Sequence, residues 1–336
     1  MMWIKNNRKK ALLLGFFYIV IVLFLTLRVP NKSIVLKGDL TPITNGIEIE
    51  NKDNSNAFYS IYVVSMERPT IFQYVLSLLN SKVDIRDINE TQNFSFKEQF
   101  LMGQIQEMLS YQYAVIAAYE KAAQEDTTIS ISKTVKGYIL SYVDQRQSLL
   151  KVGDYITEIN GTHYRELPEN SFINILHEHD TVSLTILRGN DVKYLNITHI
   201  EDTKKYGLII NPVYHIETTP SYKETYSDDF IGGPSGGLLQ ALDIYSRLMA
   251  LNLKGIEVSG TGTIEREGFV GPIGGIKQKV YTASTHDIDL FFVPTENYEE
   301  ALIAYESLDN PSFILVKVGD FDEALEGLLA YLSTRS

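Results

Sequence analysis

The distribution of apolar residues divides the chain into four segments. Residues 11–27 are an unbroken apolar run, and residues 31–124 contain one alternating stretch and one long stretch with helical spacing. Residues 125–202 contain short β-rich pieces separated by turns, whereas residues 203–336 mix strand-length apolar runs with helical patterns. Because side chains repeat every 3.6 residues on a helix and every two on a strand, these patterns predict an α/β multidomain chain preceded by an apolar helix.

Segment 31–124 contains one strand pattern and two helix patterns. Ala57–Ser65 alternates and is rich in aromatic and β-branched residues, which predicts a strand. A helix is predicted to begin within Pro69–Leu79, and a long one to cover Phe96–Gln124. The long helix carries an apolar stripe of Met102, Ile105, Met108, Leu109, Tyr113 and Ile116. A stripe at helical spacing predicts core packing rather than a cofactor site.

Segments 125–202 and 203–336 predict different architectures. In the first, strands are predicted at Ile129–Ile131, Gly137–Val143, Tyr155–Ile159, Val182–Leu187 and Tyr194–His199, with a tight turn at Asn160-Gly161. In the second, strands are predicted near Leu208–Ile216, Gly255–Gly260, Leu290–Val293 and Phe313–Val316. Helices are predicted there at Ser235–Leu251, Ile276–Ser284, Tyr298–Ser307 and Asp320–Leu332. A small β domain followed by an α/β domain is therefore expected.

The N-terminal 30 residues predict a membrane anchor. Four basic residues precede the apolar run, and Arg28 and Pro30 follow it. As a helix the run would be about 25 Å long, slightly short of a ~30 Å hydrocarbon core. A cleaved signal peptide is the alternative, but no Ala-x-Ala cleavage site ends the run. The charge asymmetry predicts a cytoplasmic N-terminus, a single span in the cell membrane and an extracytoplasmic remainder.

Composition and charge exclude several function classes. The net charge is −12, and binding of nucleic acid requires a basic surface, so no nucleic-acid partner is expected. The chain has no cysteine, which removes disulfide frameworks, thiolate metal sites and a cysteine nucleophile. We predict neither a cofactor nor a metal.

A first glycine-rich stretch, residues 231–238, surrounds Ser235. Apolar residues recur at helical spacing after it, so Ser235 is expected at the N-terminal end of an amphipathic helix. Free N–H groups and the positive end of the helix dipole meet at such a position, as an oxyanion hole requires. The alternative is that Ser235 only caps the helix. The stretch by itself leaves both interpretations open.

A second glycine-rich stretch, residues 268–280, carries Lys277 and Lys279 at the start of a short helix. It is not a phosphate loop, because Ile276 separates the glycines from the first lysine and Gln278 follows that lysine. On a helical wheel, Lys279 lies nearer than Lys277 to the buried face, by a few tens of degrees. A half-buried lysine has a lowered pKa and, when neutral, is able to act as a base toward a serine hydroxyl. The spacing alone does not establish that Ser235 and Lys279 meet.

The C-terminal segment resembles the proteolytic domain of Lon-type serine proteases. Gly233-Pro234-Ser235-Gly236-Gly237 is similar to their G-P-S-A-G motif, Gly260-Thr261-Gly262 to their T-G strand end, and residues 270–279 to their P-I-G-G-L-K-x-K motif. The resemblance implies that Ser235 is the nucleophile and Lys279 the general base. It also implies that Thr261 hydrogen-bonds the lysine and that the N–H groups of Gly233 and Ser235 are oxyanion donors. Gly232, Gly236 and Thr263 depart from the family pattern.

Residues 148–161 resemble the core motif of bacterial PDZ domains, L-x-x-G-D-x-I-x-x-I-N-G, although the usual S-P-A helix start is absent. That resemblance implies a peptide-binding module; a small β domain without a ligand is the alternative. The whole chain resembles membrane-anchored PDZ–Lon-like proteases of Gram-positive bacteria. The expected division is 1–30 for tail and transmembrane helix, 31–124 for an α/β segment associated with the protease, 125–202 for the PDZ-like domain and 203–336 for the Lon-type proteolytic domain.

The resemblance implies an ATP-independent serine endopeptidase that cleaves accessible or unfolded proteins or peptides, and a homo-oligomeric ring. A catalytically inactive, membrane-tethered peptide-binding adaptor is the main alternative. His177-Glu178-His179-Asp180 has the spacing of a metal chelate, but a solvated helix end or turn is the preferred interpretation. A Ser–His–Asp triad that uses His215 or His286 is a minor alternative.

Overall fold

The computed structural model describes residues 8–43, 46–53, 57–88, 94–168, 171–201, 203, 205–225 and 233–335. Across these residues the helices are α1 (Arg8–Thr26), α2 (Ile71–Leu78), α3 (Phe96–Glu125), α4 (Ser171–Glu178), α5 (Gly237–Leu248), α6 (Ile276–Ala283), α7 (Tyr298–Glu306) and α8 (Phe321–Thr334). The predicted long helix and the four predicted C-terminal helices are present. Their ends differ from the predicted ones by up to three residues.

The strands make the chain a mixed α/β protein, as predicted. They are β1 (Lys32–Pro42), β2 (Ile47–Ile49), β3 (Phe58–Glu67), β4 (Asp84–Asp87), β5 (Ser130–Val143), β6 (Tyr155–Ile159), β7 (Thr162–His163), β8 (Thr181–Arg188), β9 (Asp191–Thr198), β10 (Leu208–Thr219), β11 (Tyr222–Glu224), β12 (Val258–Gly260), β13 (Thr263–Ile264), β14 (Val270–Gly271), β15 (Leu290–Pro294) and β16 (Ile314–Val318).

The larger sheet combines strands from both ends of the chain. Its order is β16-β15-β12-β3-β1-β4, with parallel pairing from β16 to β3 and antiparallel pairing from β3 to β4. Segment 31–124 therefore contributes half of the sheet on which the C-terminal helices pack. Its strand β3 pairs in parallel with β12, which lies about 200 residues later in the chain.

Helices cover both faces of this sheet. Phe291 and Phe292 are adjacent on β15, and both are completely buried. Phe292 packs in the cluster formed with α3, α5 and α8, whereas Phe291 packs in the cluster formed with α6 and α7. Successive side chains of a strand point to opposite faces, so a strand that is buried on both sides has no polar alternation. Helices α5 and α6 lie on opposite faces of this sheet, and their starts approach the same region of it.

The second sheet has the order β10-β5-β6-β8-β9, with β7 paired to β6. The predicted Asn160-Gly161 turn is present, with φ of 50° and 78°. The core between this sheet and α4 includes a stacked pair of rings, Tyr138 and Phe172, whose centroids are 4.2 Å apart. Strand β10, predicted from Leu208–Ile216 within the C-terminal segment, pairs along its full length with β5. The long β5–β10 ladder therefore links the two parts of the chain.

Helix α1 is long and apolar enough to cross a membrane, with 19 residues and a mean hydropathy of 2.0. It is the one such helix among the described residues. None of its apolar stretch is buried against the rest of the described protein. A signal sequence meets the same criteria of length and composition. The helix therefore supports membrane targeting, and its topology in the membrane stays a prediction.

Candidate functional site

Ser235 lies in a 3-10 turn, Pro234–Gly236, that leads directly into α5. Proline is favourable at the start of a helix, where its missing N–H has no partner to lose. Every residue of α5 is buried, so the serine stands at the mouth of a helix enclosed by the core. Gly237 is required by packing, because a Cβ atom there would lie 2.9 Å from the backbone nitrogen of Ile264. Ser235 itself is half-buried, which leaves its hydroxyl accessible from one side.

Two serines from distant elements support this turn. Ser110 of α3 lies with its Oγ 3.2 Å from Gln240 Oε1 and 3.4 Å from the carbonyl oxygen of Pro234. Its single proton is donated to one of these acceptors at a time. On the other side, a Cβ at Gly236 would lie 3.2 Å from Ser60 Oγ of β3. Helix α3 and strand β3 therefore fix the path of the backbone on both sides of Ser235.

Lys279 lies in the first turn and a half of α6, which begins after Gly275 in the left-handed conformation, with φ of 76°. A glycine is favoured at this φ because it has no Cβ to clash. Lys279 is 2% exposed, whereas Lys277 is half-buried and its Nζ lies 3.9 Å from Glu300 Oε1. The structure therefore distinguishes the two lysines by burial, in the direction that the helical wheel predicts.

The side chains of Ser235 and Lys279 are in hydrogen-bond contact. The distance from Lys279 Nζ to Ser235 Oγ is 2.8 Å, and the distance from Nζ to Thr261 Oγ1 is 2.9 Å. Burial lowers the pKa of Lys279 to about 7. In the described part of the chain, no ion pair between Lys279 and a carboxylate is found. A lysine that is desolvated without a counter-charge is half-neutral near neutral pH, as a general base must be.

Thr261 connects the lysine with the backbone of the serine. Its Oγ1 accepts from Lys279 Nζ and donates to the carbonyl oxygen of Ser235 at 3.1 Å. The N–H of Gly262 donates to the same carbonyl at 2.8 Å. Gly260 has φ of 154°, and a Cβ there would lie 2.7 Å from the backbone nitrogen of Phe292. Gly260 thus lets the end of β12 approach β15, and the N–H of Gly262 links the residues after β12 to the turn that carries Ser235.

Gly233 and Ser235, the predicted oxyanion donors, flank Pro234 at the start of the 3-10 turn. Gly233 is exposed and has an extended backbone, with φ of −125° and ψ of 174°. The N–H of Ser235 belongs to the first turn of a helical segment, where N–H groups have no intrahelical acceptor. Their role as oxyanion donors stays a prediction. Gly232, one of the departures from the family motif, lies outside the described residues.

Asn297 is a supporting residue that sequence reasoning missed. Its side-chain Nδ2 donates to the carbonyl oxygen of Ile273 at 3.1 Å, and its Oδ1 accepts from the N–H of Ile273 at 2.8 Å. This reciprocal pair holds the chain just before Gly274 and Gly275, at the entrance to α6. No periodic pattern marks a single asparagine after a strand, so only the tertiary contact identifies it.

The histidines do not join this site. His199 pairs with Asp180, His215 with Glu217 and His286 with Asp39, at 3.1–3.2 Å. His177 is in the last turn of α4, as the solvated-helix-end interpretation predicts. Within the described ranges, no group of three or more His, Asp or Glu residues has a geometry that suits a metal ion. No histidine in those ranges hydrogen-bonds Ser235.

Comparison with known proteins places the site in a family. Residues 231–330 match the family model of the Lon protease (S16) C-terminal proteolytic domain. The chain is 34% identical over 94 residues to the Lon protease of Campylobacter jejuni and 36% identical over 102 residues to that of Mycoplasma mobile. These matches cover 28% and 30% of this chain and 12% of each relative. The chain therefore spans about an eighth of the length of these relatives.

One further relative and one solved structure are also similar to parts of the chain. Lon protease 2 of Bacillus subtilis is 32% identical over 99 residues, which are 30% of this chain and 17% of that protein. Among solved structures, the PDZ domain of the SdrC-like protein from Listeria monocytogenes is 25% identical, with a TM-score of 0.20, and the match covers 23% of this chain and 90% of that structure. Residues 231–330 therefore form a Lon-type proteolytic domain.

Proposed function

We propose that this chain is a membrane-anchored serine endopeptidase in which Ser235 is the nucleophile and Lys279 the general base. The observation that carries the proposal is the 2.8 Å contact between a half-buried hydroxyl and a buried amine whose pKa is lowered to about 7. A hydroxyl needs such a base to become a nucleophile at neutral pH. The match of residues 231–330 to the Lon proteolytic domain supports the same reaction class.

The proposed reaction starts with neutral Lys279. Its Nζ takes the proton of Ser235 Oγ while that oxygen attacks the scissile carbonyl carbon. The resulting oxyanion would accept hydrogen bonds from the N–H groups of Gly233 and Ser235. The lysine then returns the proton to the leaving amine, the C–N bond breaks, and an acyl-enzyme remains on Oγ. Water, deprotonated by the same lysine, attacks the acyl carbon, the ester bond to Oγ breaks as the lysine returns the proton to Ser235 Oγ, and the second product leaves.

Thr261 is proposed as a positioning residue. Its hydroxyl accepts from Lys279 Nζ and donates to the carbonyl of Ser235, so it holds the amine and the nucleophile turn in one arrangement. A base is effective only within hydrogen-bond reach of the proton that it removes. This role depends on geometry, not on proton transfer by the threonine.

The remaining parts of the proposal concern substrate access and location. The sequence contains no Walker loop, so we propose that accessible or unfolded segments are cleaved without ATP. Residues 125–202 would bind or gate substrates as a PDZ-like domain, between the α/β segment 31–124 and the proteolytic domain 203–336. Residues 1–30 would anchor the chain with its N-terminus in the cytoplasm and the site outside. Assembly into a homo-oligomeric ring is proposed by likeness to the Lon family.

The test is cleavage of a permanently unfolded protein by the full-length, detergent-solubilised chain without ATP. Ser235→Ala and Lys279→Ala are each expected to lower the rate by at least about 10³-fold. Lys277→Ala is the matched control, because it removes a lysine from the same helix that faces Glu300, and it should retain the wild-type rate. Equal cleavage by all four proteins would refute the Ser–Lys pair. Peptide binding without cleavage by any of them would favour the adaptor function.

A further inference from the structure

Helix α2 exposes an apolar face that the described part of the protein covers only in part. Phe72, Val75, Leu76 and Leu79 follow the spacing i, i+3, i+4, i+7, which places them on one side of the helix. Their exposures are 39%, 39%, 49% and 80%, and the neighbouring Leu78 is 61% exposed. Single exposed leucines are ordinary on protein surfaces, but a continuous stripe of large apolar side chains marks a contact surface.

The helix is well formed despite its eight residues. Thr70 caps it, with Gln73 N–H donating to Thr70 Oγ1 at 3.3 Å and Thr70 N–H donating to Gln73 Oε1 at 2.8 Å. This reciprocal capping satisfies two N–H groups at the helix start. The apolar stripe is therefore presented by a fixed helix.

The end of α1 holds α2 in place. The N–H of Ile71 donates to the carbonyl of Leu27 at 2.9 Å, and the N–H of Val29 donates to the carbonyl of Pro69 at 2.8 Å. The rings of Phe24 and Phe72 pack edge-on, with centroids 5.9 Å apart. Phe24 lies about 3 Å inside the C-terminal end of α1 at the usual helical rise. If α1 spans the bilayer, Phe72 therefore lies at the boundary of the hydrocarbon core.

We infer that α2 is a second membrane contact, which lies in the interface of the same bilayer that α1 crosses. This inference rests on the proposed anchor. Amphipathic helices bind bilayers by burying such an apolar face at the boundary between headgroups and acyl chains. Arg28 and Arg68 are both exposed beside the start of α2, at the level where lipid phosphates would meet them.

A second copy of the chain is the weaker candidate for the occupant. Helix α2 is about 12 Å long, and its stripe alone provides far less than the roughly 1,000 Å² that a stable protein interface buries. The lipid surface needs no complementary protein shape and is already next to Phe24. The apolar face of α2 is continuous with the apolar surface of α1, none of which is buried in the described structure. This continuity favours lipid as the occupant.

Contact of α2 with the membrane would also orient the site that contains Lys279. The segment after α2 touches α6, where Gln278 Nε2 donates to the carbonyl of Lys82 at 3.5 Å and Lys82 Nζ lies 5.5 Å from the ring centroid of Tyr281. Both partners are on the helix that carries Lys279. Seating α2 in the interface would therefore set the angle of the site relative to the membrane.

The experiment uses the absence of cysteine in the natural chain. Single cysteines replace Leu76 or Leu79 on the α2 stripe, Ile19 at the middle of the apolar run in α1, or Ile303, which is 65% exposed on α7. Each full-length variant is labelled with an NBD fluorophore and reconstituted into vesicles of phosphatidylcholine and phosphatidylglycerol. Quenching is then compared between lipids that carry a doxyl group at a shallow or a deep acyl position. Cleavage of an unfolded protein by each labelled variant confirms that it is folded.

Labels at positions 76 and 79 are expected to be quenched at least about twofold by shallow doxyl lipids and less by deep ones, as an interfacial helix requires. The label at 19 should be quenched by deep doxyl lipids, because it lies about 12 Å from either end of the apolar run, and the label at 303 by neither. If 19 is quenched while 76 and 79 behave like 303, the interfacial helix is refuted and the anchor stands. If 19 is not quenched, the anchor itself fails. A blue shift at 76 and 79 that is lost on dilution, without lipid quenching, would assign α2 to a contact between copies and overturn the inference.

Discussion

At the scale of single residues, the site depends on the burial of one amine. A pKa lowered from 10.5 to about 7 means that the folded protein disfavours the charged form of Lys279 by roughly 5 kcal/mol relative to water. Thr261 and Ser235 both offer oxygen atoms to that amine, but hydroxyls compensate desolvation only in part. The protein therefore keeps a costly group in its interior, which is typical of a functional site.

The first prediction concerns pH. Because the base must be neutral, kcat/KM should fall about tenfold per pH unit below about 7 and reach a plateau above it. The sign follows from the lowered pKa, since a lysine of ordinary pKa would keep the rate rising up to about pH 10. Initial rates on an uncharged fluorogenic peptide between pH 5 and 9 would measure the profile. A rate that is constant down to pH 5 would contradict a lysine base.

The second prediction separates the positioning role of Thr261 from a structural one. Thr261→Val keeps the shape but removes the acceptor for Lys279 Nζ and the donor to the carbonyl of Ser235. We expect kcat to fall at least about tenfold, with KM nearly unchanged. Loss of the acceptor also disfavours the charged amine, so the acidic limb of the pH profile should move to lower pH.

Thr261→Ser is the matched control for that variant, because it retains the hydroxyl. It should recover most of the activity and the wild-type pH profile. A Val variant whose pH profile is unchanged and whose loss of rate equals that of the Ser variant would show that Thr261 acts through packing alone.

The contacts of Lys279 with Ser235 and Thr261 agree with what the sequence motifs imply, whereas the supporting contacts of Ser110 and Asn297 could not be predicted. Glycine-rich segments mark tight backbone positions locally, so Ser235 and the pair Lys277 and Lys279 are visible in the chain. On the helical wheel, only a small angular difference favours Lys279 over Lys277 as the buried lysine. In the folded protein, packing buries Lys279 and leaves Lys277 half-buried. Ser110 contacts Pro234 from a position 124 residues earlier, and no local pattern encodes such a contact.

At the scale of elements, the helix starts are built by close backbone approaches. The two glycines that follow Ser235 differ in what a methyl group would meet. At Gly236 a Cβ would lie 3.2 Å from Ser60 Oγ, a hydroxyl that is free to rotate about χ1. At Gly237 it would lie 2.9 Å from the backbone nitrogen of Ile264, which cannot move without shifting a strand.

The third prediction follows from this difference. Gly236→Ala should fold with a melting temperature close to that of the wild type and should keep cleavage within about fivefold, because rotation of Ser60 relieves the contact and alanine favours a helix. Gly237→Ala should lower the melting temperature by several degrees and the rate by at least about tenfold, because backbone must move. Circular dichroism melts and peptide cleavage would measure both. Equal effects of the two substitutions would show that steric fit does not control this turn.

The fourth prediction concerns the entrance to α6. Asn297→Ala removes both hydrogen bonds to Ile273, and Asn297→Asp keeps only an acceptor. Since this pair holds the chain ahead of Gly275, we expect kcat to fall by about 10–100-fold in the Ala variant and by less in the Asp variant. Substrate KM should change little, because Asn297 is buried and its two side-chain hydrogen bonds go to the backbone of Ile273. A rise in KM with constant kcat would instead place Asn297 in substrate binding.

The long helix and the C-terminal helices were predictable to within a few residues, whereas the eight-residue helix α4 and several strands were not. The periodic stripes of α3 and α8 repeat over three or more turns and so stand out locally. Strand β1 contains Gly38, Asp39 and Pro42, which resemble turn signals, and its pairing with β3 shifts register between Lys37 and Leu40. The three-residue strands β2 and β11 form only by pairing with each other, so neither carries a pattern of its own.

At the scale of the whole molecule, the order of segments along the chain does not match the order of strands in space. Strands β1, β3 and β4 from segment 31–124 extend the sheet whose other half is formed by β12, β15 and β16. Parallel pairing between β3 and β12 requires a crossover that here includes the entire second sheet. The match to the Lon proteolytic domain covers residues 231–330 and so does not include the earlier strands. The pairing of those strands with the sheet of this domain is visible only in the structure.

Helix α3 connects the two sheets close to the nucleophile. Gln112 is buried, its Nε2 donates to the carbonyl of Pro212 at 3.1 Å, and its Oε1 accepts from the N–H of Tyr214 at 2.8 Å. One amide side chain thus occupies an edge of β10. Two residues earlier on the same helix, Ser110 contacts the turn that carries Ser235. The second sheet is therefore fixed to the same helix that supports the nucleophile.

The fifth prediction tests whether this link serves substrate delivery. Gln112→Leu keeps the volume but leaves the Pro212 carbonyl and the Tyr214 N–H without their partner, so β10 should loosen at that point. We expect amide exchange at Tyr214 to rise at least about tenfold and kcat/KM for an unfolded protein to fall several-fold. Cleavage of a short peptide should change less than twofold, since a short peptide reaches Ser235 without the second sheet. Equal losses for both substrates would mean that Gln112 acts on the nucleophile turn through α3, and unchanged cleavage of both, despite faster exchange, would mean that the second sheet does not deliver substrate.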